Sequence, residues 1–489
     1  MRSLIAFFLV LFSSLANAQT KPALAIVMQD QTQLRAAPKA SAQPQAILWQ
    51  GEALEVRGER LDFLQVYDYR RERGGFVRAS LVKRLTLTPE QAPGLLAVVR
   101  FLRDTPGSES LGIAYAAAYI QAAPAEMLKG PEGIEVLDAL GSMADRLAQR
   151  AGSQGKTGQT AVAHLEAAAR HGVRFLSNEH DGRVYVCYEG DAFRRVLAMP
   201  SDAGQRARAV LGLTRRECVP GALAPAERRK ADEWRAEVLD RVDADALPGY
   251  LRNRIYMRRA SVWSSLAYQR ARSGDKSASA AATRALVELA RIDKVHLAEE
   301  DVPGYAEAAM RVNASRWALA ASPVPAPTEN RPAIMTVPVS TGETCVLLVD
   351  AKGGPKQPLA KRCTYGIVWT GSASVNREST AVALAVQPTD AWLEMWLFHK
   401  TNAGWIVRIL PPAAIHPEVG YAEFAGWVPG GSQMLVVREA QGEGRYRKNF
   451  EILRIDTLAT VRQAGDPSML GAFQRWQDPA WKRNTVSVR

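Results

Sequence analysis

The 489-residue sequence has only four cysteines, and after its first eighteen residues it lacks any apolar run of membrane-spanning length. A transmembrane helix needs about 20 consecutive apolar residues. We therefore predict that the chain does not span a membrane. It also lacks any block of five or six like charges, so we interpret the formal net charge of +12 as dispersed over the surface.

The motifs of common catalytic sites are missing as well. No G-x-S-x-G, H-E-x-x-H or aspartate-rich calcium loop occurs. Gly155-Lys156-Thr157 resembles the end of a phosphate-binding loop, but Arg150 stands where that loop needs its first glycine. Ser273-Gly274-Asp275-Lys276 has the S-x-x-K spacing of penicillin-recognising enzymes without their other elements.

His164 and His171 are seven residues apart on one face of a predicted helix. Two helical turns separate them by about 10 Å, which is too far for both to bind one metal ion. The sequence therefore predicts no catalytic residue, no metal and no cofactor.

The first eighteen residues follow the order of a secretory signal peptide. Arg2 supplies the positive charge, Leu4 to Phe12 form the apolar stretch, and Ala16-Asn17-Ala18 is a small-residue cleavage site. This apolar stretch is too short to form a stable transmembrane helix. The alternative is that the segment is not cleaved and stays as a membrane anchor. We predict cleavage after Ala18 and a periplasmic or secreted protein.

The four cysteines fall as two local pairs, Cys187 with Cys218 and Cys345 with Cys363. In an oxidising compartment this arrangement predicts disulfides, and pairing near neighbours closes short loops, each stabilising by about 3 kcal/mol. A zinc site is the alternative. It is disfavoured because there is no C-x-x-C and no histidine near the second pair.

Hydrophobic periodicity changes twice along the chain, which predicts a multidomain α and β fold. The predicted order is a signal peptide (1–18), a small SH3-like β-barrel (19–87), an irregular all-α, repeat-like region (88–321), a proline-rich linker (322–332) and an all-β meander (333–489). The predicted helices span 94–102, 110–121, 133–151, 160–176, 203–211, 225–242, 251–273, 277–292 and 303–320. The main predicted strands after them span 344–350, 365–369, 380–387, 392–398, 405–410, 434–438 and 450–456, and 183–188 is predicted to be extended.

Several residues of the first module occur in the order of a known pattern: an L-R-x-x-P strand end, a glycine before a strand, an aromatic residue with alternating neighbours, and a G-x-V strand followed by Ser-Leu. These residues are Leu34, Arg35, Pro38, Gly51, Phe63, Val66, Gly75, Phe76, Val77, Ser80 and Leu81. In this order they resemble a bacterial SH3 domain, although Phe63 and Phe76 stand where the family often has tryptophan. The resemblance implies a targeting or binding module, commonly for cell-wall peptides, or a structural spacer.

Because ligand grooves in such modules use exposed aromatic side chains, Trp49, Tyr67 and Tyr69 are the candidate binding residues. The alternative for each is an aromatic residue of the core or rim with no ligand.

Two further segments resemble known repeats. Trp263, Leu266 and Ala267, followed by Gly274 and then by Ala282, Ala285 and Leu286, resemble a tetratricopeptide repeat, which implies partner binding. Trp427-Val428-Pro429-Gly430-Gly431 resembles the W-S-P-D-G turn of TolB-like propeller blades. A blade needs about 40–45 residues, so the last region is predicted to be a partial propeller-like stack or a β-sandwich.

These features predict an exported, modular, non-catalytic binding protein of the cell envelope. Its positive charge favours anionic envelope partners rather than nucleic acid. The SH3-like barrel would bind the cell wall or another envelope protein. The alternative is a periplasmic enzyme of the wall-hydrolase type, with the barrel as its targeting module.

Overall fold

The computed structural model describes residues 23–153, 155–180, 183–319, 326–328, 330–414, 419–442 and 445–484. The predicted signal peptide and its cleavage site lie outside them, as do residues 322–325 and 329 of the predicted linker. Within the described residues, no helix combines the length and apolar character that crossing a membrane requires.

The chain divides into two compact units. The N-terminal unit comprises Met1–Leu176 and Val186–Met199, and the C-terminal unit comprises Ser177–Tyr185 and Pro200–Arg489. The division falls inside the region predicted as one helical domain (88–321), so its helices are shared between the units. Strands give way to helices, and helices to strands, near the predicted positions 87 and 333.

The N-terminal unit begins with a seven-stranded antiparallel sheet. Its strands are β1 (Leu24–Val27), β2 (Thr32–Arg35), β3 (Pro44–Leu48), β4 (Ala53–Arg60), β5 (Phe63–Asp68), β6 (Arg73–Arg78) and β7 (Val82–Leu85). Their hydrogen-bonded order is β3-β2-β6-β5-β4-β1-β7, which leaves β3 and β7 at the two ends. Alternate apolar residues such as Leu64 and Val66 point into one buried core.

Helices follow this sheet. They are α1 (Ala92–Arg103), α2 (Glu109–Ala122), α3 (Ala125–Lys129), α4 (Pro131–Ala151), α5 (Lys156–Ala169) and α6 (Asp191–Ala198). The predicted helices up to 151 are confirmed, but α3 and α6 were not predicted. The predicted helix 160–176 is wrong at its end: α5 stops at Ala169, and Gly172 follows with φ +83°, a left-handed conformation that terminates helices.

Two short strands come between α5 and α6. β8 (Phe175–His180) and β9 (Arg183–Tyr188) pair with each other, which confirms the predicted extended segment 183–188. The boundary between the two units runs through both strands.

Inside the N-terminal unit, the sheet packs against α2 and α5 at Gly51. The Gly51 carbonyl accepts a 2.8 Å hydrogen bond from His171 Nε2, and the Ser110 hydroxyl donates to the carbonyl of neighbouring Gln50 at 2.8 Å. A Cβ atom at position 51 would lie 2.5 Å from Ser110, and φ is +86°. Only glycine therefore fits here.

His171 makes the stability of the N-terminal unit depend on pH. Burial against the sheet lowers the pKa of His171 from its ordinary 6.5. Below about pH 6.5 the unfolded chain binds a proton that the folded unit resists, so the free energy of unfolding falls as pH decreases.

We expect the His171→Gln variant, which keeps a donor to Gly51, to lose less stability than wild type between about pH 7 and pH 5 in urea titrations. His296→Gln, at an exposed histidine of the C-terminal unit, should leave this acid loss unchanged; equal acid losses in wild type and His171→Gln would contradict the assignment.

The C-terminal unit starts with a helical layer. Its helices are α7 (Ala203–Leu213), α8 (Pro225–Asp240), α9 (Gly249–Arg272), α10 (Ala278–Ala290) and α11 (Val302–Ser315). All five were predicted within a few residues. Helix α9 packs against α8, α10 and α11, and the α9–α10 pair buries Leu266, Ala267, Ala282 and Ala285. The tetratricopeptide resemblance of this pair stays a prediction.

The rest of this unit is mainly β-structure. A three-stranded sheet contains β10 (Ala333–Ser340), β11 (Glu343–Val349) and β12 (Ala360–Thr364). A larger sheet contains β13 (Ile367–Val375), β14 (Ala381–Thr389), β15 (Trp392–Thr401), β16 (Gly404–Leu410), β17 (Gly420–Val428), β18 (Gln433–Gly442), β19 (Arg445–Arg454) and β20 (Thr460–Ala464). Two short helices follow, α12 (Gly471–Trp476) and α13 (Pro479–Asn484).

The larger sheet consists of two antiparallel meanders, β13 to β16 and β17 to β20. They are joined by a short parallel pairing of β15 with β17, in which Trp392 lies opposite Gly420 and Leu393 opposite Tyr421. The predicted change to β-structure is confirmed, and the predicted propeller-type turn at 427–431 connects β17 to β18. No sheet closes into a barrel in the described strands.

All four cysteines lie in described segments and none is free. Cys345 and Cys363 lie opposite each other on β11 and β12 and are bonded to each other. Cys187 and Cys218 are also disulfide-bonded. Two disulfides are therefore present, as the sequence predicted.

Candidate functional site

The outer face of the N-terminal sheet gathers several of the predicted residues. Along β5, Leu64 and Val66 point into the core, so Phe63, Gln65 and Tyr67 point to the other side. The strand register places Arg78 and Phe76 of β6 opposite Phe63 and Gln65, and Arg35 of β2 opposite Phe76. We call Arg35, Phe63, Gln65, Tyr67, Phe76 and Arg78 the outer strip.

One end of the outer strip is aromatic. The rings of Tyr67 and Tyr69 meet edge to face with centroids 5.0 Å apart, and the Arg57 guanidinium lies 3.9 Å above the Tyr67 ring. Tyr69 is 65% exposed, and its hydroxyl donates to the Glu55 carboxylate. This end therefore exposes the Tyr69 ring, while Arg57 covers one face of the Tyr67 ring. An exposed aromatic ring beside a cation is suited to planar or apolar ligand groups.

The hydrogen bond between Tyr69 and Glu55 also sets their protonation. It is the main cause that lowers the pKa of Glu55 and raises the pKa of Tyr69. Glu55 therefore stays ionised and Tyr69 stays a neutral phenol at neutral pH. The pair holds the Tyr69 ring in place and has no proton to exchange in that range.

The other end of the outer strip is a polar cavity of about 260 Å³, lined by Arg35 and Arg78 and by Phe63. Arg35 donates to the Ala42 carbonyl at 2.7 Å, and in the described residues it has no carboxylate within ion-pair distance. Arg78 is 3.8 Å from the exposed Asp62. These two guanidinium groups therefore retain donors for an anionic group. The four-residue step from Phe63 to Tyr67 separates the two ends by about 13 Å.

Trp49 lies in a different environment from the two tyrosines. Its ring meets that of His164 on α5, with centroids 6.3 Å apart and planes at 75°. Its ring contact is thus with the helical layer, which fits the alternative of a packed aromatic residue. The structure brings Tyr67 and Tyr69 together, and it gives Trp49 a separate contact.

Sequence reasoning missed Arg35, Arg57 and Arg78 as site residues. The strand register places Arg35 and Arg78 opposite aromatic residues of β5 or β6, and Arg57 lies over the Tyr67 ring from an irregularity in the pairing of β4 with β5. The three arginines lie on three different strands, β2, β4 and β6, so no local sequence signal groups them.

The two helix histidines do not share a ligand. His164 Nε2 lies 2.7 Å from the Asp30 carboxylate, whereas His171 bonds to the Gly51 carbonyl. Across the described segments, no group of three or more histidine, cysteine, aspartate or glutamate side chains is arranged to hold a metal ion.

Comparisons of the chain with protein-family models, with curated proteins and with solved structures find no match.

Proposed function

We propose that this chain is an exported, non-catalytic binding protein of the cell envelope, in which residues 19–87 contain a bacterial SH3-like module that binds the cell wall or a protein partner. The outer strip carries this proposal. It combines Tyr67, which packs against the exposed Tyr69, with two arginines that retain free donors.

The geometry of the strip indicates the chemistry of its ligand. An aromatic surface at one end and guanidinium donors about 13 Å away suit an extended ligand with an apolar or planar part and an anionic group. A short peptide with a free carboxylate offers both. The arginines of the outer strip are positively charged, and the chain as a whole carries a net positive charge, which favours anionic partners.

Two other features support an exported, modular protein. The two disulfides are consistent with an oxidising compartment. The two meanders of the larger sheet support the resemblance to propeller blades, and the α9–α10 pair supports a repeat-like helical layer; both would add binding surface.

An enzyme of the wall-hydrolase type would need ionisable side chains free to act in a deep pocket. One buried carboxylate of the C-terminal unit, Glu423, is instead held by Arg316, Asn313 and Trp481. This arrangement favours binding over proton transfer.

Co-sedimentation with insoluble peptidoglycan tests the proposal. We expect the exported form, residues 19–489, to be retained even in about 1 M salt, where the Debye length is about 3 Å. Tyr67→Ala with Tyr69→Ala should weaken retention about tenfold or more, as expected for aromatic anchors. Tyr365→Ala, at an exposed tyrosine outside the N-terminal unit, is the matched control. Point variants are preferable to deletion of the sheet because the sheet packs against α5.

The outcomes separate the alternatives. Retention lost at modest salt would show that only the positive charge is attracted, and would contradict wall recognition. An absence of retention under all conditions would leave the protein partner as the ligand. Retention that is equal in the double variant and the control would show that the outer strip is not the site.

A further inference from the structure

The polar cavity at one end of the outer strip contains a negative charge as well as positive ones. Asp30, in the turn between β1 and β2, lines this cavity together with Arg35, Arg78 and Phe63. The Asp30 side chain is 37% exposed, and among the described residues no lysine or arginine lies within ion-pair distance of it. The cavity therefore presents a carboxylate that lacks a cationic partner.

Hydrogen bonds from two elements fix the position of this carboxylate. Asp30 Oδ1 accepts a 3.0 Å hydrogen bond from the backbone N–H of Gln50 and lies 2.7 Å from Nε2 of His164 on α5. His164 is 1% exposed, and its Nδ1 is buried with no hydrogen-bond partner in the part of the chain that the structure describes. A hydrogen on Nδ1 would be a buried unpaired donor, so the ring hydrogen is on Nε2 and is donated to Asp30. A neutral imidazole does not cancel the charge of Asp30, and both contacts use Oδ1, which leaves the acceptor sites of Oδ2 unused.

The guanidinium of Arg35 is held on the same cavity by a separate contact. Its Nη1 donates to the Ala42 carbonyl at 2.7 Å, and no ion pair joins Arg35 to Asp30, because each side chain is tethered to its own partner. Arg78, by contrast, has the Asp62 carboxylate 3.8 Å away. One carboxylate and one guanidinium of a single cavity thus lack a counter-charge. Such a cavity is complementary to a ligand that carries both signs.

The rest of the lining suits a small polar molecule. The amide side chains of Gln29, Gln31 and Gln33 offer both donors and acceptors, and Phe63 adds an apolar wall. The cavity has a volume of about 260 Å³. A cavity of about 150 Å³ holds a benzene ring, and alanine has as many non-hydrogen atoms as benzene. A small amino acid therefore fits this space.

We infer that this cavity binds a zwitterionic α-amino acid group, with its ammonium at Asp30 and its carboxylate at Arg35. The inference rests on the proposed function of the outer strip, whose ligand it describes more closely. A ligand that ended in a carboxylate alone would bring its negative charge towards Asp30 with no cation to match that residue. An ammonium and a carboxylate on one carbon atom match both unpaired charges of the cavity.

Saturation-transfer NMR titrations of the exported form with three molecules of similar shape test the inference. Alanine carries both charges, lactate has a hydroxyl in place of the ammonium, and alaninamide has an amide in place of the carboxylate. We expect saturable binding of alanine that is about tenfold or more tighter than the binding of either analogue. Both enantiomers of each molecule are titrated.

Charge-removing variants assign this preference to the cavity. Asp30→Asn keeps an oxygen that accepts from His164 and Gln50, so the variant is expected to fold, and near-ultraviolet circular dichroism checks this. It should weaken alanine about tenfold without weakening lactate. Arg35→Gln should weaken alanine and lactate alike. Glu59→Gln removes an exposed carboxylate of the same sheet away from the cavity and should change neither affinity.

Two results would overturn the inference. One is a wild-type protein that does not bind alanine saturably, or that binds lactate as tightly as alanine. The other is an equal effect of Asp30→Asn and Glu59→Gln on the binding of alanine.

Co-sedimentation with peptidoglycan in the presence of alanine separates this inference from the proposed function. Release of the protein by alanine would show that the wall ligand carries the amino acid group. Binding of alanine without such release, or without any retention on peptidoglycan, would support a free amino acid as the ligand of the cavity. Retention that depends on Tyr67 and Tyr69, with no binding of alanine, would overturn the inference and leave the proposed function standing.

Discussion

Replacing Arg316 with methionine is expected to lower the free energy of unfolding of the C-terminal unit by about 3–5 kcal/mol. Arg316 and Glu423 are both almost fully buried, and their side chains meet at 2.7 Å. Without the guanidinium, Glu423 is a buried charge supported only by the neutral donors of Asn313 and Trp481. Urea denaturation followed by near-ultraviolet circular dichroism measures the loss, because Trp317 and Trp481 lie beside the pair.

Two comparisons isolate the cause. Arg316→Met combined with Glu423→Gln removes both charges, so its loss should be smaller than that of Arg316→Met alone. Arg241→Met breaks the solvent-exposed pair with Glu237 and should have no measurable effect. The Glu423→Gln variant is measured alone as well. If the double variant lost as much stability as Arg316→Met and Glu423→Gln lose when added together, the ion pair would not be the source of the effect.

Removal of the Cys345–Cys363 disulfide by alanine at both positions is expected to cost about 3 kcal/mol. The bond joins positions 18 residues apart, so it restricts a short loop of the unfolded chain. It also links two strands of a small sheet, one face of which packs a small cluster that contains Ala333, Cys345, Leu347, Val349 and Cys363. Thermal unfolding of the double alanine variant, beside wild type with and without reductant, measures the effect.

The effect of reductant distinguishes the stability contributions of the two disulfides. It opens both bonds in wild type but only the remaining one in the variant, so the difference reports the Cys345–Cys363 bond. An unchanged unfolding temperature in the double alanine variant would show that strand pairing of β11 with β12 is sufficient on its own.

Amphipathic helices were the most predictable part of this fold. Helix α9 was predicted at 251–273 and spans Gly249–Arg272, because its buried residues repeat with the helical period. Helix α7 begins at a capping box formed by Asp202 and Gln205, so its start is encoded locally. Such signals depend on neighbouring residues only.

Several strands escaped sequence reasoning for different physical reasons. β12 and β20 are short and contain no fully buried residue, so they have no apolar alternation to detect. β17 is buried on both faces and includes Glu423, whose burial depends on Arg316 more than one hundred residues earlier. Tertiary pairing of this kind has no local signature.

The aromatic residues of the candidate site could be predicted from the sequence only in part, and its arginines could not. Tyr67 and Tyr69 could be chosen because they are aromatic residues near the end of a predicted strand. Trp49 could not be distinguished from them, since its surroundings are set by His164 on a distant helix. Arg35 and Arg78 become site residues only through the register of β2, β5 and β6.

The narrow link between the two meanders has a consequence for how the larger sheet assembles. Each meander is made of hairpins whose strands are adjacent in sequence, so its contacts are local and its loops cost little entropy to close. The parallel contact of β15 with β17 involves only two residue pairs. The buried clusters, in contrast, contain residues of both meanders. The hairpins are therefore suited to form locally, and the apolar core is completed only when the two meanders join.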